Sequence, residues 1–358
     1  MKTLRKVKIE GFKSIERAEL DLGDLNVVIG ANGSGKSNLL GAFRLLERVL
    51  SGRLQQFVAN NPPDRLLHHG RKITPALSLD VEIDDHYSYG FKLRAAQDRL
   101  VLENEGPYPN GLRLAGHPES VLEVITERQL RQDFPQAKNV NDFLAKVSNL
   151  VVYHFDDTSD SSPAKNTCDV DDNRFFRPDA ANLPAYLYWL QEKHPLQFRH
   201  IEEHIRLVAP FFERFVLAPL KHNERTIKLE WRHKGSDAYF DAWSLSDGTL
   251  RFICLATLLL QPEPPALILL DEPELGLHPL AIRILSEMVE SVAKQSQVLL
   301  ATQSVTLLDN FAPKDVIVAE NDGLKTSFQR LDEEKLKVWL DDFSIGELWE
   351  KNVLGGNP

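Results

Sequence analysis

Residues 30–37 read Gly30-Ala31-Asn32-Gly33-Ser34-Gly35-Lys36-Ser37, and the segments on either side decide what the octet is. A short apolar run, Leu25–Ile29, precedes it. Leu39, Leu40, Phe43, Leu45, Leu46 and Val49 follow at helical spacing, giving a helix from Lys36 to about Leu50 one buried face. The octet is therefore G-x-x-x-x-G-K-[ST] between a strand and a helix, the context in which that spacing binds phosphate. The residue types follow from the chemistry. Glycines let the backbone curl so that successive N–H groups converge on phosphate oxygens. The helix start adds unpaired N–H groups and partial positive charge. Lys36 is placed to reach the β- and γ-phosphates of a nucleoside triphosphate, and the Ser37 hydroxyl to hold Mg2+.

A second apolar run, Ala266–Leu270, ends in Asp271-Glu272-Pro273. A buried strand of this kind delivers Asp271 beside the phosphate loop, where it holds Mg2+ directly or through water. Glu272, one step further out, is placed to polarise an attacking water. Leu245-Ser246-Asp247-Gly248-Thr249 opens another helix. In isolation this is an ordinary helix cap, with Ser246 accepting from the first turn and Asp247 at the positive end. Its order and spacing relative to the other motifs favour an anion site instead.

The remaining composition sets bounds. The chain has 358 residues, enough for about two domains, with 42% hydrophobic and 26% charged residues, ordinary for a soluble globular protein. Cys168 and Cys254 form neither a disulfide framework nor metal-ligand spacing, which fits a cytoplasmic protein. No apolar run approaches the length of a membrane span. The net charge of −10 argues against strong nonspecific binding to nucleic acid. Lys2, Arg5, Lys6 and Lys8, and Arg128, Arg131 and Lys138, are local basic clusters whose ordinary role is solvated charge. His154 and His278 read as satisfied structural histidines rather than ligands, His68 and His69 lack partners at metal spacing, and the five tryptophans read as core or interface residues rather than base-stacking platforms.

Along the chain, Lys2–Glu10 and Ile15–Leu22 read as strands, residues 51–74 as loop, and 76–102 as antiparallel strands. Residues 106–118 are broken by Pro107, Pro109, Gly111 and Pro118 and open a helical insertion over about 119–147. Leu150–Tyr153 reads as a strand, 159–173 as a mobile loop, and Asn182–Lys193 and Phe198–Val208 as helices. From Asp247 onward strands and helices alternate, which implies a mainly parallel sheet. Three regions result. An N-terminal lobe, 1–105, carries the phosphate loop and antiparallel strands. Residues 106–240 hold the insertion and connecting strands, and a C-terminal lobe, 241–358, holds the remaining motifs.

The phosphate loop, Leu245–Thr249, Asp271-Glu272-Pro273-Glu274 and Leu275-Gly276-Leu277-His278 together resemble the ATP-binding-cassette ATPases. Gly11-Phe12-Lys13-Ser14 ahead of the loop is similar to the RecF/SMC branch. Tyr153–Ser159, Asn182-Leu183, Gly346-Glu347-Leu348-Trp349 and Leu354–Pro358 resemble the bacterial RecF-like AAA family ATPases, so the likeness covers nearly the whole chain. It implies an α/β, two-lobed cassette head with a mainly parallel phosphate-loop sheet, an antiparallel β subdomain and a helical insertion. It also implies that Gly30 to Asn38 line ATP (Gly30, Ala31, Asn32, Gly33, Ser34, Gly35, Lys36, Ser37 and Asn38), with Lys13 or Ser14 at the phosphates or ribose. Asp271 then supports Mg2+ beside Ser37, Glu272 is the catalytic base, and Asp156 or Asp157 stands in the metal- and water-sensing loop. Ser246 and Gly248 are implied to contact ATP held by a second subunit, which makes ATP binding the cause of homodimerisation.

Two departures from that family matter. Asp247 stands where its signature has a first glycine, adding negative charge near a triphosphate. Gln303 stands at the switch position usually held by histidine; it can hydrogen-bond a γ-phosphate but cannot titrate. Slow hydrolysis by a switch rather than a motor is expected. The resemblance points to a role in DNA maintenance or defence against foreign DNA, through a separate effector protein, with DNA as a possible ligand. About 55 residues follow Gln303, with no acidic cluster suggesting a nuclease. Two other readings compete: the ATPase subunit of a membrane transporter, and a non-catalytic interaction protein with nucleotide as structural glue. The Gly-Phe-Lys-Ser signature at Gly11–Ser14, the large insertion before residue 150 and the lack of a glutamine-centred coupling loop at His154–Ser159 argue against the first, and intact Lys36, Asp271 and Glu272 against the second.

Overall fold

Leu25–Ile29 is buried along its whole length, as a strand with neighbours on both edges and covered faces must be. In the computed structural model of the chain it lies inside a six-stranded sheet. The spatial order is Thr326–Arg330, Val316–Asn321, Leu25–Ile29, Gln297–Thr302, Leu267–Asp271 and Leu150–Val152. Every adjacent pair is parallel except the hairpin of Val316–Asn321 with Thr326–Arg330. Ile29 lies opposite Thr302, and Ala301 opposite Asp271. The carboxyl ends of three neighbouring strands therefore align, and residues 30–37, Gln303 and Asp271 all leave the sheet at that edge. Ligands of open α/β sheets bind at that edge.

The structure describes residues 4–83, 88–106, 112–120, 150–153, 155 and 158–356. They divide into two compact units. The first comprises Met1–Val152, Pro265–Asp271 and Ser296–Pro358; the second comprises Tyr153–Pro264 and Glu272–Gln295.

Within the first unit a second six-stranded sheet is wholly antiparallel, in the order Ile15–Asp21, Lys6–Phe12, Ala76–Glu82, Ser88–Ala96, Arg99–Gly106, Leu112–His117. Its strands alternate buried and more exposed residues, as in Ala76–Glu82, the mark of one face on a core. Val7, Ile9, Phe12 and Leu79 from this sheet join Leu39, Phe43 and Leu46 of the helix Lys36–Leu50 in one buried cluster. Gln297, itself buried, ties the parallel sheet to the start of the chain. Its side chain accepts from the Leu4 N–H at 2.9 Å and donates to the carbonyls of Leu4 at 2.6 Å and Gly23 at 2.8 Å.

Three expectations need correction or qualification. Residues 51–74 are not loop throughout: Leu54–Asn60 and Pro63–Leu66 are helical. The former begins at Arg53, which offers no side-chain cap; its first N–H groups are taken instead by the Glu119 carboxylate, from Leu54 and Gln55 at 2.9 Å each. Residues 112–117 form a strand paired with Arg99–Gly106 rather than the punctuated lead-in expected there. The segment read as a mobile loop holds a turn of 3-10 helix, Pro163–Lys165, and a short strand, Cys168–Asp169, paired with Thr226–Ile227. Beyond Ser120, the expected helical insertion lies outside the described residues.

The second unit packs the helices Leu183–Lys193, Pro195–Val208, Asp247–Leu260 and Pro279–Val292, with a three-stranded antiparallel sheet of Phe212–Phe215, Glu230–His233 and Tyr239–Asp241. Proline at the first turn of three of these helices costs no hydrogen bond there. Asp247–Leu260 is buried almost all round, from Thr249 to Leu259, and lies against both Pro195–Val208 and Pro279–Val292.

Candidate phosphate-binding site

The turn from Ile29 into the helix depends on glycines held in place by the neighbouring hairpin. Gly35 has φ 103° and forms the cap of Lys36–Leu50 with no side chain to occupy the first-turn N–H groups, and that turn contains no acidic residue. A Cβ at Gly35 would run into the Thr326 side chain, and one at Gly30 into the Ala319 carbonyl. Glycine is thus required twice, for its conformation and for close approach of the hairpin. The arrangement leaves a helix start with its positive end open to an anion.

Lys36 is buried; its Nζ donates to the carbonyls of Gly30 at 2.6 Å and Ala31 at 3.0 Å. The lysine is folded onto the rim of the loop it would serve. Ser34 Oγ is buried and has no hydrogen-bond partner among the described residues, a polar atom suited to a ligand oxygen. Ser37, exposed at the helix start, donates from Oγ to Asp271 Oδ1 at 3.4 Å. Arg44 lies one helical stretch further along, its guanidinium 3.9 Å from Asp271 Oδ2. A hydroxyl and a carboxylate 234 positions apart are thus brought together, a hard-oxygen pair of the kind Mg2+ takes from protein while keeping water and phosphate oxygens.

Lys13 and Ser14 have different surroundings. Ser14 Oγ accepts from Asn38 Nδ2 at 2.7 Å and pairs with Thr326 Oγ1 at 2.7 Å, while the Thr326 N–H donates to the Ser14 carbonyl at 2.8 Å. Ser14 therefore links Asn38 to the hairpin. Lys13 has φ 49°, and its Nζ lies over the Phe12 ring and toward Gly41 of the helix. Burial, and then the Arg44 charge, push its pKa below the usual lysine value. Gln303 directly follows Thr302, whose buried Oγ1 accepts from the Ser304 N–H at 2.9 Å. Glu272, next after Asp271, has φ 43°, so the chain turns sharply out of strand geometry at that carboxylate. Such backbone in a non-glycine residue is a local cost of about 1 kcal/mol or more that clusters at functional positions.

In the second unit, Ser246 is the cap of Asp247–Leu260: its Oγ accepts from the Thr249 N–H at 3.2 Å and pairs with Thr249 Oγ1 at 2.8 Å. Gly248 lies against the Gly276 carbonyl so closely that no side chain fits. Arg251, one turn on, donates to the carbonyls of Phe155 at 3.1 Å and Leu275 at 2.7 Å. The helix start and the loop of Leu275–His278 are thus held as one body. Asp157, with His154 and Asp156, lies outside the described residues. Reading the sequence did not single out Thr326, Arg44 or Arg251; each acts through a tertiary contact with no local motif.

A family model described as "AAA domain, putative AbiEii toxin, Type IV TA system" matches residues 25–309. The chain belongs to this AAA family. No curated protein matches it. Among solved structures, the chain is similar to an Smc head bound to the C-terminal winged-helix domain of ScpA, at 16% identity and TM-score 0.63, over 94% of this chain and 99% of the other. It is likewise similar to an Smc head with an extended coiled coil bound to the C-terminal domain of ScpA from Pyrococcus furiosus, at 14% identity and TM-score 0.60, over 95% and 98%. The SMC head domain from Thermotoga maritima matches at 14% identity and TM-score 0.50, over 92% and 99%. The AAA-family chain thus has the SMC-head, cassette-type ATPase fold that its motifs resemble. Among the described residues no helix is long and apolar enough to cross a membrane.

Proposed function

We propose that this AAA-family chain is a Mg2+-dependent ATPase that acts as an ATP-driven homodimerisation switch and works through a separate effector protein. The observation that carries the reading is the pairing of Ser37 with Asp271 at the open start of the helix Lys36–Leu50. In this reading the loop amides, Ser34 and Lys36 bind the triphosphate, and Ser37 and Asp271 hold the metal. Bound there, Mg2+ supplies positive charge to the β- and γ-phosphates. Glu272 accepts the proton of the attacking water, and Gln303 orients a hydrogen bond without changing charge. Ser246 and Gly248, on a rigidly capped helix, serve the nucleotide of a second copy. Loss of the γ-phosphate then removes that contact and reopens the pair.

Two comparisons support a separate effector. The family description places relatives in a two-component toxin–antitoxin system, and two of the similar heads carry a bound domain of another protein. The output is DNA maintenance or defence against foreign DNA, with DNA as a candidate trigger. The test is Glu272→Gln followed by light scattering with saturating ATP and Mg2+. The variant should bind ATP, hydrolyse it poorly and accumulate as a dimer; a variant that stays monomeric defeats the sandwich mechanism. A wild-type chain without Mg2+-dependent hydrolysis, even with DNA added, returns the reading to nucleotide as structural glue.

A further inference from the structure

The segment Ile345–Gly356 carries a motif, Gly-Glu-Leu-Trp followed by Leu-Gly-Gly, to which the proposed ATPase cycle assigns no role. The structure lays its end on the phosphate loop. The Ala31 N–H donates to the Gly356 carbonyl at 2.8 Å. The same carbonyl receives Trp349 Nε1 at 3.3 Å, and Trp349 is fully buried. The Gly356 N–H donates to Glu320 Oε1 at 2.7 Å, and Glu320 sits on Val316–Asn321, the strand beside Leu25–Ile29. Gly355 and Gly356 both have left-handed backbone, φ 79° and 68°. A Cβ at Gly356 would lie 2.6 Å from Val318 Cγ1 and 3.5 Å from the Gly30 Cα. Two successive glycines are what this path requires: one to turn, and one to pass between the strand and the loop.

We infer that Gly355-Gly356 is a positioning strap for the phosphate loop, with the Gly356 carbonyl fixing the Ala31 amide and Trp349 and Glu320 fixing Gly356. The consequence is chemical. Lys36 holds the carbonyls of Gly30 and Ala31 from inside the loop, while the strap holds the Ala31 amide from outside. When Lys36 leaves for a triphosphate, the strap on the Ala31 amide and the Ser34 N–H, which donates to the Ala31 carbonyl at 3.1 Å, keep Ala31 in place, so that the remaining loop amides stay convergent. A loop organised before binding loses less freedom on binding. The strap therefore sets nucleotide affinity and leaves the chemical step alone.

This inference rests on the nucleotide-binding reading above, and the experiment separates the two. Binding of the fluorescent analogue mant-ATP with Mg2+ is measured for wild type, Lys36→Ala, Gly356→Ala, Trp349→Phe and Glu320→Ala, with steady-state hydrolysis alongside. Gly356→Ala should weaken binding about tenfold, the worth of one hydrogen bond of ordinary strength. Its KM should rise while kcat stays at the wild-type value. Trp349→Phe keeps an aromatic ring, though a smaller one, at the buried position and loses the N–H, and Glu320→Ala removes the acceptor for Gly356; each should shift affinity in the same direction, by less. Wild-type affinity in all three variants overturns the strap, as does a fall in kcat with KM unchanged, or tighter binding. Failure of the wild-type chain itself to bind mant-ATP would instead sink the nucleotide-binding reading, whatever the variants do.

Discussion

Ser37 Oγ donates a hydrogen bond to Asp271 Oδ1 at 3.4 Å, joining residues 234 positions apart. One sits at the helix start that follows Leu25–Ile29, the other at the end of a strand one further across the sheet, beyond Gln297–Thr302, and the aligned carboxyl edge brings them together. Asp271→Asn preserves shape and removes charge from this pair. The Mg2+ concentration needed for half-maximal hydrolysis should rise by at least about 10- to 100-fold, the usual cost of losing even an outer-shell partner of a metal. Ser37→Ala should move it in the same direction. The check is a Mg2+ titration at fixed ATP; an unchanged midpoint for Asp271→Asn would remove Asp271 from the metal site.

Lys36 bonds two carbonyls of its own loop, so its charge is offset by loop dipoles until an anion arrives. At a hundredfold excess of ATP over Kd, wild type should gain about 2.7 kcal/mol of stability from ligand binding alone. Lys36→Ala should lose that gain and unfold at the same temperature with and without ATP. Thermal melts of both proteins, with and without nucleotide, read this directly. A full ATP-dependent shift in the variant would mean that the lysine is not part of the site.

What could be read from the sequence was what is local or buried. The strand Leu25–Ile29, the turn at Gly35 and the helix from Lys36 are specified within some twenty-five neighbouring residues, and the observed bounds coincide with the expected ones. Leu267–Asp271 was legible because a strand buried on both faces reads as a continuous apolar run. The helix Leu54–Asn60 was not, because its cap is Glu119, from far along the chain. The motif at Ser14 gave no sign that its hydroxyl also bonds Asn38 and Thr326, which come from other parts of the chain. The contact of Gly356 with Ala31 was illegible for the same reason: each glycine-rich segment has its own local signal, and nothing in either names the other.

Asp80 offers a test of fold rather than site. It lies opposite Lys8 on one neighbouring strand and Gly90 on the other. Burial, and then the Glu10 charge, push its carboxyl from 3.8 up to about 6, against a smaller opposing effect of Lys8. Because the folded pKa is raised, the fold favours the protonated form. Stability from this group is present below pH 3.8 and is lost as pH rises through about 6. Asp80→Asn mimics the protonated acid. It should melt with wild type at pH 4 and about 2 °C or more above it at pH 7.5. A gap that is the same at both pH values would place the destabilisation elsewhere.

Asp247 occupies the position where cassette signatures carry glycine, and the fold answers its charge with Lys165. The Lys165 side chain is only 4% exposed, and its Nζ lies 3.8 Å from Asp247 Oδ1 and 3.9 Å from Asp160 Oδ1. Asp247 itself is 70% exposed, so the pair contributes little to stability. Its effect falls on the potential at the start of Asp247–Leu260, where Ser246 and Gly248 are proposed to meet a triphosphate. In a Glu272→Gln background, Lys165→Met should leave Asp247 uncompensated and raise the dimer dissociation constant with ATP. Asp247→Gly should lower it, and Lys165→Met combined with Asp247→Gly should restore roughly the parent value, because each removes the charge the other balances. Sedimentation at low and moderate salt distinguishes the effect, since an electrostatic penalty shrinks as salt rises. If Lys165→Met dimerises like its parent at low salt, the Lys165–Asp247 pair is structural and the charge of Asp247 does not reach the nucleotide.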